Sequence, residues 1–396
     1  MQSLKDYRLS PVTGALLETP LITLPAGYDR WNTLIQDLPN LFKRGKLREE
    51  VQKLPLLLDD GLTTHEELRL AHKTLAFVAS VYVWQNGEGG EPEYLPAQIA
   101  VPLLKISERL GLQPITTHED LVLCNCIPTT DESPPEIIHY PTSHENWKPF
   151  IELGGYVEIA FAPALQPILD ALKAQDPLDE QKITQSLLQV IPVLLRMQHG
   201  FGLFHGRLDP TEFYVELRTF LCGWTRGSLK NGLIYEEADA SSTNEVSHKI
   251  VHNRDANSFC PKGKKFGCIG PSAAQSICLQ VIDAFLGVVH HASDRQFFET
   301  MRTYMIAEHR KFLQDIEKYS RIRAIVGSTK CRELKDAYER CLAGMRDVRE
   351  DHMKLVQEFI TEPAAAQVAK VKSLKIAGTG GQSLASFLTR VKDHTV

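Results

Sequence analysis

Apolar side chains recur at alternating four- and three-residue intervals through the segment 334–359. This spacing places the side chains on one face of a single long helix and predicts that the face is buried. The face comprises Leu334, Tyr338, Cys341, Met345, Val348, His352, Leu355 and Phe359. His352 is the imidazole among them, and a buried imidazole needs partners for its ring nitrogens. The pattern leaves two partners open, a core carbonyl or a metal such as the iron of a haem.

The same kind of periodicity predicts helices through most of the chain. Thr64 and Glu67 form a capping-box pattern ahead of a long apolar run that ends at Asn86-Gly87. Further helices are predicted at about 96–110, 118–126, 147–173, 179–199, 210–222, 271–292, 295–317 and 331–361. Alternation of apolar and polar residues, which predicts β-strands, is rare in the chain. The predicted fold class is therefore mainly α.

A change in composition divides the predicted helices into two groups. Residues 128–145 contain four prolines among Ser, Thr and acidic residues, which is typical of a linker. We therefore predict a small, mostly helical N-terminal domain over residues 1–127 and a large all-helical domain over residues 146–396.

Two segments of the large domain are predicted to be loops. Residues 236–269 are rich in polar residues, which predicts a flexible surface insertion. Residues 362–382 contain the cluster Gly378-Thr379-Gly380-Gly381. This cluster is compatible with a weak phosphate-binding motif, with a flexible linker, or with a lid that closes over a buried pocket.

Composition and charge exclude several classes of partner. The chain has 396 residues, is 43% hydrophobic and carries a formal net charge of -5, with no basic run for nucleic acid. No stretch approaches the roughly twenty apolar residues of a membrane span, and no secretory signal is evident. We expect a cytoplasmic protein without a membrane partner. The eight cysteines are thinly spread and predict neither disulfides nor a zinc site.

A second group of residues suits the binding of an aromatic carboxylate. Arg218 follows Tyr214 by one turn in the run DPTEFYVELRTFLCGW, where Asp209 is suited to the N-cap and Pro210 to the first helical position. Aromatic rings at Phe213 or Tyr214 beside a guanidinium match an apolar body that carries a carboxylate. The alternative is a helix with core aromatic residues and a solvated arginine.

Other catalytic motifs do not occur. The sequence has no G-x-S-x-G, H-E-x-x-H, G-x-G-x-x-G or kinase pattern. His290 and His291 are adjacent on the predicted helix 271–292, so they cannot face one point and are expected to be structural or exposed. His199 and His205 are possible haem neighbours without a distinguishing pattern.

Ordered motifs extend from about residue 30 to the end of the chain. They are AVPLLKISERLGLQPI, EDLVLCN, GYVEIA, LRTFLCGW, NGLIYE, GPSAAQS, DAFLGV, MRTYM, HRKFL, RDVREDH, GTGGQSL and FLTRV. In this order they resemble the indoleamine 2,3-dioxygenase family of haem proteins. The resemblance implies a small N-terminal domain over a large helical domain that holds haem b. It also implies that His352 is the proximal iron ligand, that Arg349 lies near the haem propionates and that Asp283 supports this region.

The resemblance also implies the reaction and the substrate pocket. Both atoms of O2 are inserted across the indole C2-C3 bond of L-tryptophan to give N-formylkynurenine, the chemistry of the kynurenine pathway. Arg218 would hold the substrate carboxylate. The implied substrate-binding residues are Phe150, Phe213, Tyr214, Arg218, Ser272, Ala273, Thr379 and Gly380. No general acid or base is assigned. An electron donor would keep the iron ferrous, and the protein is expected to be a monomer.

The chain departs from the family pattern in the distal pocket. His118 replaces a tyrosine, Gly154 replaces the serine of most animal members, and Tyr214 replaces a phenylalanine, while Val122 lies between the first two. Gly270-Pro271 replaces a Gly-Gly pair, and the segment 236–269 is longer than usual. These departures keep two alternatives open. One is a haem oxygenase of the same fold that acts on a different indole, and the other is a haem-binding regulatory protein with little turnover.

Overall fold

The computed structural model describes residues 1–129, 133–225, 227–237, 263–366 and 384–395. The first part of the chain contains four helices: α1 (Asp29–Lys43), α2 (Leu47–Gln52), α3 (His65–Trp84) and α4 (Ala97–Leu110). Helix α3 begins at the predicted capping box, because Thr64 Oγ1 accepts from the Glu67 backbone N–H at 3.1 Å. Nearly every side chain of α3 is buried between α1 and α4. The predicted helices after the capping box and at 96–110 are confirmed, whereas the predicted helix 118–126 is wrong in its extent, because it is a five-residue π turn at Glu119–Leu123 and Cys126 lies in a strand.

The rest of the chain forms twelve further described helices. They are α5 (Trp147–Phe161), α6 (Leu165–Lys173), α7 (Glu180–Gly202), α8 (Pro210–Glu212), α9 (Arg218–Phe220), α10 (Cys278–Leu286), α11 (Ala292–Arg302), α12 (Ala307–Tyr319), α13 (Ile322–Ser328), α14 (Arg332–Val356), α15 (Glu362–Ala365) and α16 (Leu384–Asp393). Helix α14 packs along α7, and α5, α6 and α16 surround this pair. The predicted mainly α fold class is confirmed. None of the described helices has both the length and the apolar character needed to cross a membrane.

The long apolar face predicted at 334–359 is confirmed in α14 and the turn that follows it. Leu334, Cys341, Met345 and Val348 are fully buried, and the other members of the face are buried except His352, which is partly buried. Close approach to α7 depends on Gly344, where a Cβ atom would lie 2.9 Å from Leu194 Cδ1. The face is buried as predicted, but its imidazole is only partly buried.

Three five-residue π-helical turns interrupt or extend the α-helical structure. They are π1 (Glu119–Leu123), π2 (Phe213–Leu217) between α8 and α9, and π3 (Gln357–Thr361) after α14. Each π turn contains or adjoins residues that the sequence assigns to the pocket or to the His352 face. Such turns are rare and are frequent at functional sites. Hydrophobic periodicity does not predict them, because they add a residue without removing the apolar pattern.

Small sheets join distant parts of the chain. The strand β4 (Leu233–Glu236) pairs in parallel with β1 (Tyr94–Leu95) and antiparallel with β5 (Gly263–Phe266). The strand β2 (Cys126–Ile127) pairs antiparallel with β3 (Glu136–Ile137), which lies within the proline-rich segment 128–145. Residues 236 and 263–266, at the two ends of the predicted insertion, are strand residues, and 238–262 lie outside the described residues.

Several predicted helices are wrong in their extent, and the predicted helix 147–173 is divided between α5 and α6 by a 3-10 turn at Ala162–Ala164. The predicted helix 271–292 is a 3-10 turn at Ala273–Gln275 followed by α10, which ends at Gly287 in the left-handed conformation (φ 71°). The predicted helix 295–317 is divided between α11 and α12. His290 and His291 therefore lie in the connection after α10 rather than on a helix. A glycine C-cap ends α10 because the left-handed conformation is costly for other residues.

Candidate active site

His352 lies on α14 with its ring stacked on Phe201 of α7, at a centroid distance of 5.9 Å and an interplanar angle of 23°. Its ring nitrogens hydrogen-bond to no other described residue. Burial, followed by the positive charge of Arg349, lowers the pKa of His352 to about 4. The imidazole is therefore neutral at pH 7, and it has a nitrogen lone pair for a metal.

Arg349 precedes His352 by one turn of α14 and is held by two anchored acceptors. Its Nη2 donates to Asp283 Oδ2, and its Nη1 donates to Thr395 Oγ1. His290 Nε2 lies 3.0 Å from the same Asp283 oxygen. Burial raises the pKa of Asp283, but the charges and hydrogen bonds of Arg349 and His290 outweigh it and hold this pKa below the usual value. The structure thus brings Asp283 and Arg349 together beside His352.

The C-terminal helix α16 fixes one side of this cluster. Arg390 donates to Asp294 at 2.7 and 3.2 Å, and Phe387 packs edge-on against Phe297 at 4.7 Å. The sequence analysis missed Thr395 and expected His290 to be a structural or exposed residue. The sequence feature that could have placed His290 near Asp283 is Gly287, because this glycine ends α10 and turns the chain back.

Aromatic contacts connect the helix of His352 with the predicted substrate residues. Phe359, on the same face as His352 and two turns later, packs edge-on against Phe213 of π2 at 5.8 Å. Phe213 in turn packs on Phe150 of α5 at 5.4 Å. Phe204 completes this apolar group through Phe359, at 5.2 Å. The structure therefore places Phe150 and Phe213 beside each other and close to the continuation of α14.

Tyr214 and Arg218 are fully buried at the junction of π2 and α9. The guanidinium carbon of Arg218 lies 4.7 Å from the centre of the Tyr214 ring, a distance suited to a cation-π contact. The predicted position of Arg218 beside an aromatic ring is confirmed for Tyr214, and the alternative of a solvated arginine is wrong because Arg218 is buried. A buried guanidinium is well suited to pair with a carboxylate.

The loop that carries Ser272 and Ala273 lies directly on the end of α9. A Cβ atom at Gly223 would lie 2.1 Å from Cys268 O, and one at Gly270 would lie 2.0 Å from Leu221 O. Glycine is therefore required at both positions for the backbones to meet. Ser272 Oγ accepts from the Ala274 N–H at 3.3 Å, and Ala273 is exposed.

His118 directly precedes π1 and contacts α5, whereas Gly154 lies on α5 and packs against Val122 of π1. Nε2 of His118 lies 2.9 Å from Glu158 Oε1 on α5, so the imidazole is bound to a carboxylate. At Gly154 a Cβ atom would lie 2.8 Å from Val122 Cγ2. The glycine that replaces the family's serine is thus matched to the close packing of Val122. Sequence analysis missed Glu158, although it follows Gly154 by one turn on the same face of α5.

Thr379 and Gly380, which the sequence assigns to a loop over the substrate, lie outside the described residues. The other predicted site residues fall into two groups. His352, Arg349 and Asp283 form the first, and the residues around Phe150, Phe213, Tyr214, Arg218 and the Ser272 loop form the second. A mainly helical protein that sets a neutral histidine near buried aromatic rings and a buried arginine has the groups needed to bind an aromatic amino acid beside a metal centre.

Comparisons with known proteins identify the family. The family model for indoleamine 2,3-dioxygenase matches residues 3–396. The chain is 33% identical to indoleamine 2,3-dioxygenase 1 of Mus musculus, over 99% of this chain and 94% of the relative. It is 33% identical to a protein of Haliotis diversicolor named myoglobin, over 99% of this chain and 97% of that protein. It is 28% identical to 6-hydroxytryptophan 2,3-dioxygenase fscD of Fusarium equiseti, over 100% of this chain and 98% of that protein.

The chain belongs to the indoleamine 2,3-dioxygenase family. The predicted family is confirmed, and so is the prediction of an oxidoreductase with indole or tryptophan 2,3-dioxygenase activity at the level of the family. The roles of individual residues stay predictions.

Proposed function

We propose that the protein is a haem b-dependent dioxygenase that inserts both atoms of O2 across the indole C2-C3 bond of L-tryptophan, giving N-formylkynurenine for the kynurenine pathway. The observation that carries this proposal is His352. It combines a neutral imidazole, ring nitrogens that bind no other described residue and a stacked Phe201. A neutral imidazole of this kind would be able to hold haem iron.

The residues around His352 fit a haem group. His352 would be the proximal ligand, and Arg349 would face the negatively charged propionates while Asp283 and Thr395 fix its orientation. When bound, the haem supplies the iron that activates O2. The chain supplies a fixed guanidinium and a neutral imidazole, and it supplies no general base among the assigned residues.

The chain's second contribution is to bind and orient the indole amino acid. We propose that Arg218 pairs with the substrate carboxylate and that Phe150 and Phe213 contact the indole ring. Tyr214 supports Arg218 through its ring face. Ser272 and Ala273 line the entry, and Thr379 and Gly380 close over the bound amino acid. Exclusion of water by these aromatic residues strengthens the pairing of Arg218 with a carboxylate.

We also propose a cytoplasmic monomer with an electron donor that keeps the iron ferrous. A net charge of -5 without a basic run supports the proposal that neither nucleic acid nor a membrane is a partner. The division into domains at 1–127 and 146–396, joined by 128–145, belongs to the same proposal, as do a surface insertion at 236–269 and a lid at 362–382.

Two other functions are supported by specific observations. The relative from Fusarium equiseti is named for 6-hydroxytryptophan, and His118 with Glu158 adds polar groups beside the pocket, which favours a different indole as substrate. The relative from Haliotis diversicolor is named myoglobin, which favours a haem-binding protein with little turnover.

The test is anaerobic reduction of the haem-loaded protein, followed by mixing with O2 and L-tryptophan. The Soret band and the absorbance of N-formylkynurenine are recorded together. We expect product to form at the rate at which the oxygenated protein decays. A stable oxygenated spectrum without product from tryptophan or hydroxytryptophan would contradict the dioxygenase proposal and favour the haem-binding alternative.

A further inference from the structure

A buried carboxylate on α5 holds the start of α10. Glu158 lies in the last turn of α5 and is buried. Its Oε1 accepts from Ser276 Oγ at 2.7 Å and lies 2.9 Å from His118 Nε2, and its Oε2 accepts from Cys278 Sγ at 3.2 Å. Ser276 and Cys278 lie at the beginning of α10. Two of these three partners of the carboxylate therefore come from the same end of one helix.

The protonation states of these groups agree with the hydrogen bonds. Burial raises the pKa of Glu158, but the hydrogen bond and charge of His118, with the two other donors, outweigh it and hold this pKa below the usual value. Burial, followed by the charge of Glu158, raises the pKa of the Cys278 thiol well above its usual value. At neutral pH Glu158 is therefore an ionised acceptor and Cys278 a protonated donor. Hydrogen bonds to an ionised acceptor are roughly twice as strong as neutral ones.

The same helix carries Asp283, five residues after Cys278 and about 7.5 Å further along the axis. Asp283 Oδ2 accepts from Arg349 Nη2 of α14. Helix α10 therefore bridges two helices, because its start is bound to α5 and its middle to α14. The apolar face of α10 is fully buried at Val281 and Phe285. A close-packed helix of this kind transmits a displacement of one part to the next.

We propose that Glu158 is a positioning residue for the haem group: by holding the start of α10, it places Asp283 where that carboxylate binds Arg349. This inference rests on the proposed function, because it takes Arg349 to face the haem propionates. Loss of the charge on Glu158 deprives the Ser276 hydroxyl and the Cys278 thiol of their ionised acceptor. The start of α10 then shifts, Asp283 moves relative to Arg349, and haem dissociates faster.

The experiment is a double-mutant cycle on the rate of haem loss. Haem-loaded ferric full-length protein without substrate is mixed with an excess of an acceptor globin, and the Soret band is followed. The proteins are the wild type, Glu158→Gln, Asp283→Asn and the double variant. We expect each single variant to lose haem about ten-fold faster than the wild type, since residues that support a metal site typically contribute about 10- to 100-fold to metal affinity. The double variant should lose haem no faster than Asp283→Asn, because Glu158 acts through Asp283.

Glu152→Gln is the matched control. Glu152 is also buried on α5, but its carboxylate pairs with Arg207 at 2.5 Å and with Lys148 at 3.9 Å, neither of which belongs to α10. This variant should lose haem at the wild-type rate. A general loosening of α5 speeds haem loss in both variants and adds to the effect of Asp283→Asn. A role through Asp283 appears in Glu158→Gln alone and does not add.

A wild-type rate of haem loss in Glu158→Gln would overturn the proposal. Rates that multiply to about 100-fold in the double variant would also overturn it, since independent contributions combine in that way. If Glu158→Gln does not fold, Ser276→Ala, which removes one donor to the carboxylate, takes its place in the cycle under the same two criteria. Wild-type protein that binds no haem would contradict both the proposed function and this inference. Wild-type protein that holds haem, with an unchanged rate in Glu158→Gln, would contradict the role of Glu158 alone.

Discussion

His352 is a partly buried imidazole in the otherwise buried face of α14. Replacing it with alanine removes the proposed axial ligand. We expect His352→Ala to lose stable haem, which is measured as the loss of the Soret band after reconstitution. His205→Ala is the control, because His205 is exposed and bonded to Glu358 at 2.7 Å. A normal Soret band in His352→Ala would contradict the assignment.

Arg218 offers a second test at the scale of one residue. Arg218→Ala should weaken tryptophan binding by about 2-5 kcal/mol, because a desolvated charge pair is lost. Haem content should stay as in the wild type. The measurement compares the Michaelis constant for tryptophan with the Soret absorbance per protein. Arg302→Ala, which removes a half-buried arginine paired with Glu317 at 2.7 Å, should leave both unchanged. Wild-type kinetics in Arg218→Ala would contradict the carboxylate role.

At the scale of elements, α16 connects the end of the described chain to α14. Thr395→Val removes the hydroxyl that accepts from Arg349. Losing a buried hydrogen bond to a charged group costs about 1.5–3 kcal/mol, so we expect faster haem loss with unchanged tryptophan affinity in the protein that remains loaded. Haem transfer to an acceptor globin measures the rate. Thr300→Val is the control and should keep the wild-type rate, because Thr300 is partly exposed and its hydroxyl donates to Gln296 O within α11.

The contact between α5 and π1 gives another prediction. Gly154→Ser would introduce a Cβ atom 2.8 Å from Val122 Cγ2, and such overpacking costs about 1–3 kcal/mol. We expect a lower Tm in Gly154→Ser and a partial recovery in the double variant with Val122→Ala, since the smaller side chain vacates the space. A Tm equal to that of the wild type in Gly154→Ser would show that Val122 moves without cost.

The sequence best predicted the features that lie within a single helix. The apolar face of α14 and the capping box of α3 follow directly from residue spacing, because each depends on neighbours within a few turns. The pairing of Glu158 with His118 and of Thr395 with Arg349 joins residues 40 and 46 positions apart, and no local pattern encodes such contacts. The family resemblance named Arg349 and Asp283, but it did not predict Thr395 and His290, which bind them.

For the whole molecule, buried histidines predict how stability depends on pH. Burial, helped by nearby Lys73 and Arg69 respectively, lowers the pKa of His139 and of His309 to about 3. Both are neutral in the folded protein between pH 4 and 6.5, whereas the unfolded chain binds protons there. Stability should therefore fall as the pH falls below about 6.5, by up to about 3 kcal/mol per pH unit for the two groups.

His72 acts in the opposite direction at higher pH. Burial lowers its pKa, but Asp120 at 2.6 Å outweighs burial and raises it. The stabilisation from His72 is complete below the unfolded pKa and is lost as the pH rises through the folded value. Urea unfolding of the haem-loaded protein at pH 5.5, 6.5 and 7.5 measures both slopes. His309→Gln should make the acidic slope shallower, and His291→Gln, at an exposed N-cap, should not. Identical acidic slopes in the wild type and His309→Gln would contradict this account.

The three π turns have a consequence for how relatives of this chain are compared. A π turn holds one residue more than an α turn and absorbs it locally, so a homologue that lacks this residue and forms an α turn there keeps the side chains on either side of the turn on the same faces. Arg218 immediately follows π2 and His118 immediately precedes π1. A one-residue gap inside π2 would therefore leave Arg218 on its face and would change only the side chains of the turn itself, Phe213 and Tyr214 among them. In an alignment of relatives, a single-residue gap at these turns therefore marks a reshaped turn within a helix whose other side chains keep their directions.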